Sequence, residues 1–320
     1  MIKKSLFLML ALVPTMLWAQ FAPEAGVAGT TAMHCDSSAF LAWATGCTIE
    51  RGPIQIGVTD SLVSYGVDAA ALGKADNRVV SLGDGGAAVL TFASPICNDR
   101  GPDFAVFENP FHNVPHCFLE LAFVEVSSDG ENYFRFPAIT KVPFDEQMDS
   151  FGVMDATLIH NFAGKYEVFY GTPFDLDEVE DNALLDKRKI THVRLIDVVG
   201  TIDPEYATYD AEGHIVNDPF PTPFYSSGFD LDAVGVIHDV AHFDVPENEM
   251  ETIAVYPNPV KDILTVKAEN LQLVEVYDLV GQQIMLSENA VLDLGSLAQG
   301  IYFVRVTADG KTFTKRVVKQ

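Results

Sequence analysis

Residues 119–136 read Leu-Glu-Leu-Ala-Phe-Val-Glu-Val-Ser-Ser-Asp-Gly-Glu-Asn-Tyr-Phe-Arg-Phe, and this stretch decides the fold class. The apolar run from Leu119 to Ser127 has the length of a buried strand, and Ser128-Asp129-Gly130 supplies the turn residues that end it. The aromatic residues of Tyr133–Phe136 then begin a returning strand. Two strands joined by a short turn indicate antiparallel pairing rather than an alternation of strands and helices.

Similar short runs lie on both sides of this stretch. Between the runs Val79–Leu82 and Ala88–Phe92, the residues Gly83-Asp84-Gly85-Gly86 predict a glycine turn that joins two strands. The best helix candidates are short, Ser37–Trp43 and Asp175–Leu185. We therefore predict a jelly-roll-like antiparallel β-sandwich over residues 20–244. The runs are Val79–Leu82, Ala88–Phe92, Asp103–Phe107, His192–Val199 and Phe229–Ile237.

The last seventy residues have a different charge but the same alternating pattern. Residues 20–251 carry 38 acidic and 11 basic side chains, whereas residues 252–320 carry 7 of each. Residues 245–251 are acidic, contain a proline and show no apolar periodicity, which is typical of a linker. We predict a second, small immunoglobulin-like β-sandwich over residues 252–320. Its strands are predicted at Ile263–Lys267, Leu273–Tyr277, Gln283–Leu286, Ile301–Val306 and Phe313–Val318.

The beginning of the chain predicts export. Lys3 and Lys4 precede the apolar run Leu6–Leu12, and Ala19 offers a small residue for cleavage, so residues 1–19 are typical of a secretory signal peptide. No later segment reaches the ~18 apolar residues of a membrane-spanning helix. The net charge of −25 argues against a nucleic-acid partner, because phosphates repel carboxylates. We expect a protein that passes through the periplasm and is secreted or held on the outer cell surface.

The chain has four cysteines, Cys35, Cys47, Cys97 and Cys117. An even number in an exported chain predicts two disulfides, for which three pairings are possible. Zinc is the alternative, because His112 and His116 lie close to Cys117 in the sequence.

The C-terminal residues resemble the type A C-terminal sorting domain of the Bacteroidetes type IX secretion system. The resemblance covers about 252–320 and implies a domain that an outer-membrane translocon reads. The resemblance also implies that a sortase-like protease removes the domain and that the product is released or joined to surface lipopolysaccharide. The motifs that carry the resemblance are Val255–Val260, Val276–Gly281, Leu294–Phe303 and the basic end Lys315–Gln320.

Residues 30–240 resemble Bacteroidetes cell-surface proteins that carry such tails, a likeness that implies location more than chemistry. The run Val124–Gly130 is also similar to one strand and turn of discoidin-like and carbohydrate-binding jelly rolls. The motifs of the first likeness are Asp36–Phe40, Ser81–Gly86, Gly101–Asn109, Leu121–Gly130, Gly171–Leu176, Ile196–Gly200 and Gly228–Gly235.

Acidic residues at strand ends predict a calcium site. Strand alternation places the carboxylates of Asp230 and Asp232 on one face, about 6.8 Å apart. Asp103, Glu108 and Asn109 flank another strand and are candidates for the remaining oxygen ligands. The alternative is that Asp230 and Asp232 only accept hydrogen bonds at a loop.

Aromatic residues near predicted loops suggest a surface for a flat ligand such as a sugar ring. The preferred candidates are Phe220, Phe224 and Tyr225, where prolines restrict the backbone. No nucleophile elbow, zinc-protease helix or phosphate-binding loop occurs, so no catalytic residue is predicted. We expect a non-enzymatic binding or adhesion protein. The alternatives are glycan or cobalamin capture beside a TonB-dependent transporter, and a secreted hydrolase.

Overall fold

The computed structural model describes residues 21–243, 253–279, 281–309 and 311–320. The chain divides between Phe243 and Asp244 into two compact units, which we call the main region and the C-terminal region. The predicted signal peptide, residues 1–19, and the predicted linker, residues 245–251, lie outside the described residues. Among the described residues, no helix has the length and apolar character needed to cross a membrane.

Most of the regular elements in the main region are short strands. It also has 3-10 turns at Asp68–Ala71, Ala156–Leu158 and Leu176–Glu178, and one short helix, α1 (Val240–Phe243). The strands are β1 (Met33–His34), β2 (Ala42–Trp43), β3 (Gly46–Glu50), β4 (Val80–Ser81), β5 (Ala87–Ile96), β6 (Phe104–Phe107), β7 (Phe111–Asn113), β8 (His116–Phe118), β9 (Ala122–Ser127), β10 (Phe134–Arg135), β11 (Ile139–Thr140), β12 (Ile159–His160), β13 (Phe162–Ala163), β14 (Tyr170–Phe174), β15 (Ile190–Asp197), β16 (Asp230–Leu231) and β17 (Ala233–Val236).

Two antiparallel sheets enclose the main core. One sheet has the order β1-β14-β6-β17-β2 and the other has the order β10-β9-β15-β5-β3, with β13 beside β9. Along β15, Val193 and Leu195 are fully buried, while Arg194 between them points outward to Glu125. This alternation gives each sheet an apolar face. The core that joins the faces includes Leu90, Val124, Val193 and Leu195 from one sheet and Phe104, Val106, Phe174 and Val234 from the other. The predicted β-sandwich is confirmed.

The predicted glycine turn does not form a hairpin. β4 pairs with β16, where Ser81 lies opposite Asp230, and not with β5. The Gly86 N–H donates to the carbonyl of Gly83, and the Asp84 carboxylate accepts the N–H of Ile56. The turn is therefore held by a distant loop, and it carries the chain from the two-stranded sheet of β4 and β16 into the six-stranded sheet.

Neither predicted helix is present. Ser37–Trp43 forms turns that lead into β2, and Asp175–Leu185 keeps only the 3-10 turn Leu176–Glu178. In a longer helix Asp177 and Asp181 would face each other across one turn, where like charges are destabilising. The buried side chains of Leu176 and Val179 instead hold this segment against the main core.

The two predicted disulfides are not formed. Cys35 follows β1, and Cys117 in β8 packs in a separate core on the outer face of the six-stranded sheet. Cys47 in β3 lies opposite Leu90 of β5, whereas Cys97 follows the end of β5, about 24 Å of strand further on. The thiols are spread over separate strands and are not brought together in the pairs that a disulfide requires.

The C-terminal region is a smaller sandwich of the predicted class. Its sheets have the orders β18-β19-β22 and β21-β20-β23-β24, and Val266, Val274, Leu292, Val304 and Val317 pack between them. The strands are β18 (Ala254–Tyr256), β19 (Ile263–Lys267), β20 (Leu271–Tyr277), β21 (Gln283–Ser287), β22 (Val291–Asp293), β23 (Gly300–Ala308) and β24 (Lys311–Lys319).

Candidate functional site

Six carboxyl groups of the main region are buried and interact electrostatically with one another. None of the six residues is more than 8% exposed. The charges of Asp230, Glu108, Asp218 and Asp197 all act on Glu120, which identifies these groups as neighbours. Asp84 joins them through its effect on Asp197 and Asp218. We call this group the carboxylate cluster: Asp84, Glu108, Glu120, Asp197, Asp218 and Asp230.

The cluster forms where strands of both sheets end. Glu108 directly follows β6, Asp197 is the last residue of β15, and Asp230 is the first residue of β16. Glu120 lies between β8 and β9, and Asp218 lies in the long loop after β15. Strand ends are places where backbone donors and side chains leave the sheet ladder, so they can be directed at a common point.

Neutral donors hold most of the cluster in place. Asp197 accepts the N–H groups of Gly85 at 2.9 Å and Phe229 at 2.7 Å. Asp218 accepts the N–H of Leu121 at 2.7 Å. Asp230 accepts the hydroxyl of Ser81 and the side-chain amide of Asn109. Each of these bonds orients a carboxylate, but none brings a positive charge to it.

Glu108 is only partly satisfied: backbone N–H groups of Asn109 and Asp230 donate to its carboxylate, but one of its oxygens has no donor. Its side chain is 2% exposed, and its Oε2 atom has no hydrogen-bond partner among the described residues. A buried carboxylate oxygen without a donor costs free energy, and natural proteins rarely leave one in that state without a function or a bound ion. Glu108 is therefore the part of the cluster that most needs a further ligand.

Burial raises the pKa values throughout the cluster. It raises the pKa of Asp84 to about 6 and that of Asp230 to about 7. Burial also raises the pKa values of Glu108, Glu120, Asp197 and Asp218 well above their ordinary range. The charges of neighbouring carboxylates raise these pKa values further, and for Asp197 the largest such charge is that of Asp84. Within the described part of the chain, no Lys, Arg or His forms an ion pair with any of the six. A cluster of this kind needs bound protons or a bound cation.

Of the residues predicted to hold calcium, the structure brings together Asp230, Glu108 and Asn109. Asp103 lies at the opposite end of β6 from Glu108 and is engaged by His238 Nδ1 at 2.8 Å and by two backbone N–H groups. Asp232 accepts the N–H groups of Asp76 and Asn77 at 3.1 and 3.0 Å. The structure therefore places Asp103 and Asp232 outside the cluster.

Four members of the cluster were not predicted from the sequence. One signal was available: Glu120 and Asp197 are acidic residues inside otherwise apolar runs, where an exposed side chain is not expected. The glycines around Asp84 indicate a turn residue and hide its chemical role. Asp218 lies in a loop, and no local pattern distinguishes it from a solvated aspartate.

Four aromatic rings form a row, and two of them are close in sequence to members of the carboxylate cluster. The centroids of neighbouring rings are 4.9 Å apart for Phe111–Phe118, 6.2 Å for Phe118–Phe151 and 6.0 Å for Phe151–Phe224. Phe118 is buried, whereas the other three rings are about half exposed. Phe111 and Phe118 are within three residues of Glu108 and Glu120 in the chain. We call these four rings the aromatic row.

The predicted ligand residues are distributed around this row. Phe224 belongs to it, Phe220 is half-buried and outside it, and Tyr225 is 71% exposed. Two surface cavities of about 640 and 550 Å³ lie elsewhere, and none of the three residues lines either of them. Phe224 and Tyr225 therefore belong to an exposed surface and not to either of these two cavities.

Comparison with known families identifies the C-terminal region. Residues 254–320 match the family model of the secretion system C-terminal sorting domain. The C-terminal region is a type IX sorting domain. The predicted resemblance is confirmed, and the sorting domain marks the protein for export to the cell surface or the medium.

No curated protein matches the chain. Among solved structures, similarity is found to the β-glucuronidase of Faecalibacterium prausnitzii, with 12% identity, a TM-score of 0.21 and coverage of 88% of this chain and 45% of that one. The β-glucuronidase of Ruminococcus gnavus has 10% identity, a TM-score of 0.21 and coverage of 87% and 44%. The chain spans less than half the length of either enzyme.

Proposed function

We propose that this exported protein is a non-enzymatic binding or adhesion protein whose main region is stabilised by Ca²⁺ in the carboxylate cluster. The observation that carries the calcium assignment is Glu108, whose buried Oε2 has no donor among the described residues while other carboxylates surround it. A cation is the group that satisfies this oxygen and the charges of its neighbours together.

The donor set of the cluster suits calcium. Ca²⁺ takes six to eight oxygen ligands in flexible geometry, and the cluster supplies carboxylates together with the side chains of Asn109 and Ser81. It contains no thiol or imidazole, the ligands that would favour zinc or copper. Six carboxylates carry more charge than one Ca²⁺ neutralises, so some stay protonated or a second ion binds. The stoichiometry of calcium uptake distinguishes these two states.

The aromatic row and Tyr225 form the proposed binding surface. Rings that are half exposed offer flat apolar faces on which sugar rings stack. The backbone of Tyr225 is fixed, because its carbonyl accepts the N–H groups of Ser64 at 3.0 Å and Tyr65 at 3.1 Å. A fixed backbone lowers the entropy that is lost on binding, so a ligand edge here is pre-organised.

Calcium binding is tested by calorimetric titration of the calcium-stripped mature chain. We expect Glu108→Gln to lower the affinity at least about tenfold, because it removes a charged ligand from the site. The exposed Glu131→Gln is the matched control and is expected to bind like the wild type. Failure of the wild-type chain to take up calcium, or equal affinity of Glu108→Gln, would contradict the assignment.

Ligand binding is tested with a glycan array and a cobalamin titration. Phe224→Ala is expected to weaken binding, and Phe144→Ala is the matched control, since the two side chains are 46% and 45% exposed. Binding that depends on Phe224 supports the proposed surface. No binding in either assay, together with activity in a screen for hydrolases, would show that the protein is an enzyme and not a binding protein.

A further inference from the structure

The hairpin of β7 and β8 places a histidine against a cysteine. His112 and Cys117 are opposite residues in its register, and His112 Nδ1 lies 3.7 Å from Cys117 Sγ. The His112 side chain is exposed and the Cys117 side chain is buried, so one ligand faces solvent while the other is anchored in the protein. By itself this contact is a weak hydrogen bond between the thiol and the imidazole. A third metal-binding group beside it would distinguish a metal site from such a bond.

Glu24 brings a carboxylate to the same point. Its ligand oxygen, His112 and Cys117 Sγ all lie within 4.8 Å of one another. Glu24 Oε1 is also 2.8 Å from Nδ1 of His116, the residue that precedes Cys117. A second group that holds a metal-binding side chain in place is typical of metal centres.

We propose that Glu24, His112 and Cys117 bind a Zn²⁺ ion, with His116 as a positioning residue for Glu24. Sulfur, nitrogen and oxygen ligands are those that zinc takes in proteins. From the usual zinc–sulfur and zinc–nitrogen lengths, two ligands of a tetrahedral ion are roughly 3.5 Å apart. The 3.7 Å between His112 Nδ1 and Cys117 Sγ is close to this spacing. The fourth position is open to water or an outside ligand.

Metal binding reverses the electrostatics of Cys117. In the metal-free protein, burial and then the charges of Glu24 and Glu167 raise the pKa of the Cys117 thiol to about 11, so the thiol keeps its proton. Zinc displaces that proton to solvent as the zinc–sulfur bond forms. The negative charges of Glu24 and Glu167, which disfavour a thiolate by itself, then attract the zinc ion. The zinc affinity is therefore expected to rise with pH.

The ion would join two segments that are distant in sequence. Glu24 belongs to the first described turn of the main region, and the hairpin carries Phe111 and Phe118 of the aromatic row. Zinc would therefore hold half of the row in place. This inference does not depend on the calcium assignment, because the two sites share no residue.

A second group, His34, Cys35 and Asp36, also has its ligand atoms within 4.8 Å and serves as an internal comparison. Its carboxylate is already engaged, because Lys74 donates to Asp36 and lowers its pKa. Cys35 is thus a thiol in a similar local sequence but with a competing cation, and it provides the matched control for Cys117.

The test is a Co²⁺ titration of the mature chain with calcium saturating the carboxylate cluster. Co²⁺ reports sulfur ligation through thiolate-to-cobalt absorption, which an oxygen-only site cannot give. We expect one equivalent to bind with this absorption, which Cys117→Ser abolishes and Cys35→Ser leaves intact. Absence of the absorption, or its loss only in Cys35→Ser, would overturn the proposal.

Zinc calorimetry of variants at the exposed His112 and the partly buried His116 guards against misfolding. His112→Asn is expected to lower zinc affinity about 100-fold, and His116→Gln about 10-fold to 100-fold through its effect on Glu24. Both variants should keep the wild-type melting temperature in the absence of zinc. Zinc affinity that is unchanged in His112→Asn would exclude this site.

Discussion

The main region and the sorting domain differ in what they bury. The sorting domain buries apolar side chains and, among its described residues, Lys319 but no carboxylate. Among residues 21–243, the main region instead buries eleven carboxyl groups: Asp84, Asp103, Glu108, Glu120, Glu125, Asp197, Asp210, Asp218, Asp230, Asp232 and Asp239. Some of these groups, such as Glu125 with Arg135 and Arg194, have basic partners, whereas those of the carboxylate cluster have none among the described residues.

This difference teaches that the two sandwiches are stabilised by different means. The sorting domain is held by hydrophobic burial between two small sheets, which does not depend on ions. The main region combines a hydrophobic core with charges that only protons or cations neutralise. We therefore expect pH and cations to change the stability of the main region more than that of the sorting domain.

The largest expected effect is on location. Deleting residues 252–320 removes the sorting domain and should leave the main region in the periplasm, with complete loss of surface exposure. Fractionation followed by protease shaving of whole cells measures this. Normal surface display of the truncated chain would show that the main region carries its own export signal.

Calcium removal should separate the two units by stability. At calcium concentrations 100 times the dissociation constant, binding contributes about 2.7 kcal/mol to the stability of the folded state. For a domain of this size, that corresponds to a fall in Tm of roughly 5–10 °C when calcium is chelated. Calorimetry should show this shift in the main-region transition alone. An equal shift in the sorting-domain transition would contradict the comparison.

The pH should act on the main region in the same selective way. Burial raises the pKa of Asp84 from 3.8 to about 6 and that of Asp230 from 3.8 to about 7. The folded, metal-free protein thus binds these protons more tightly than the unfolded chain does. Their stabilising contribution is fully present below about pH 4 and is lost as the pH rises through 6 to 7.

Thermal melts in chelator between pH 5 and pH 8 measure this loss. We expect added calcium to raise Tm more at pH 8 than at pH 5, because calcium and protons compete for the same carboxylates. A calcium effect that is independent of pH would place the ion outside the cluster.

The smallest effect is expected from an acid of the sorting domain that has an exposed basic partner. The Glu275 side chain is 15% exposed and lies 3.7 Å from that of Arg305, which is 46% exposed, and a pair that reaches solvent in this way contributes little to stability. Glu275→Gln should change the free energy of unfolding by less than about 1 kcal/mol, equally with and without calcium. Urea titration of both states measures this. A calcium-dependent difference would reveal an ion site in the sorting domain.

The sequence predicts the strands better than the site. Residues 263–267 alternate between apolar and polar side chains, and β19 has the predicted bounds. The pairing of β4 with β16 joins residues about 150 positions apart, and no local pattern specifies such a contact. The cluster depends on this long-range pairing. The sequence indicates Asp230 and Glu108 because they flank apolar runs, whereas Asp218 lies in a loop without such a pattern.

The backbone packs closely beside the cluster at Gly228, which has a positive φ of 71°. A Cβ atom there would be 2.7 Å from Asp197 Oδ1 and 2.9 Å from the backbone of Gly83. Even alanine would push two loops apart, so the position accepts no side chain at all. A glycine at 228 is thus required for the close approach of Asp197 and the Gly83 backbone, and any larger residue there would disturb the assembly of the carboxylate cluster.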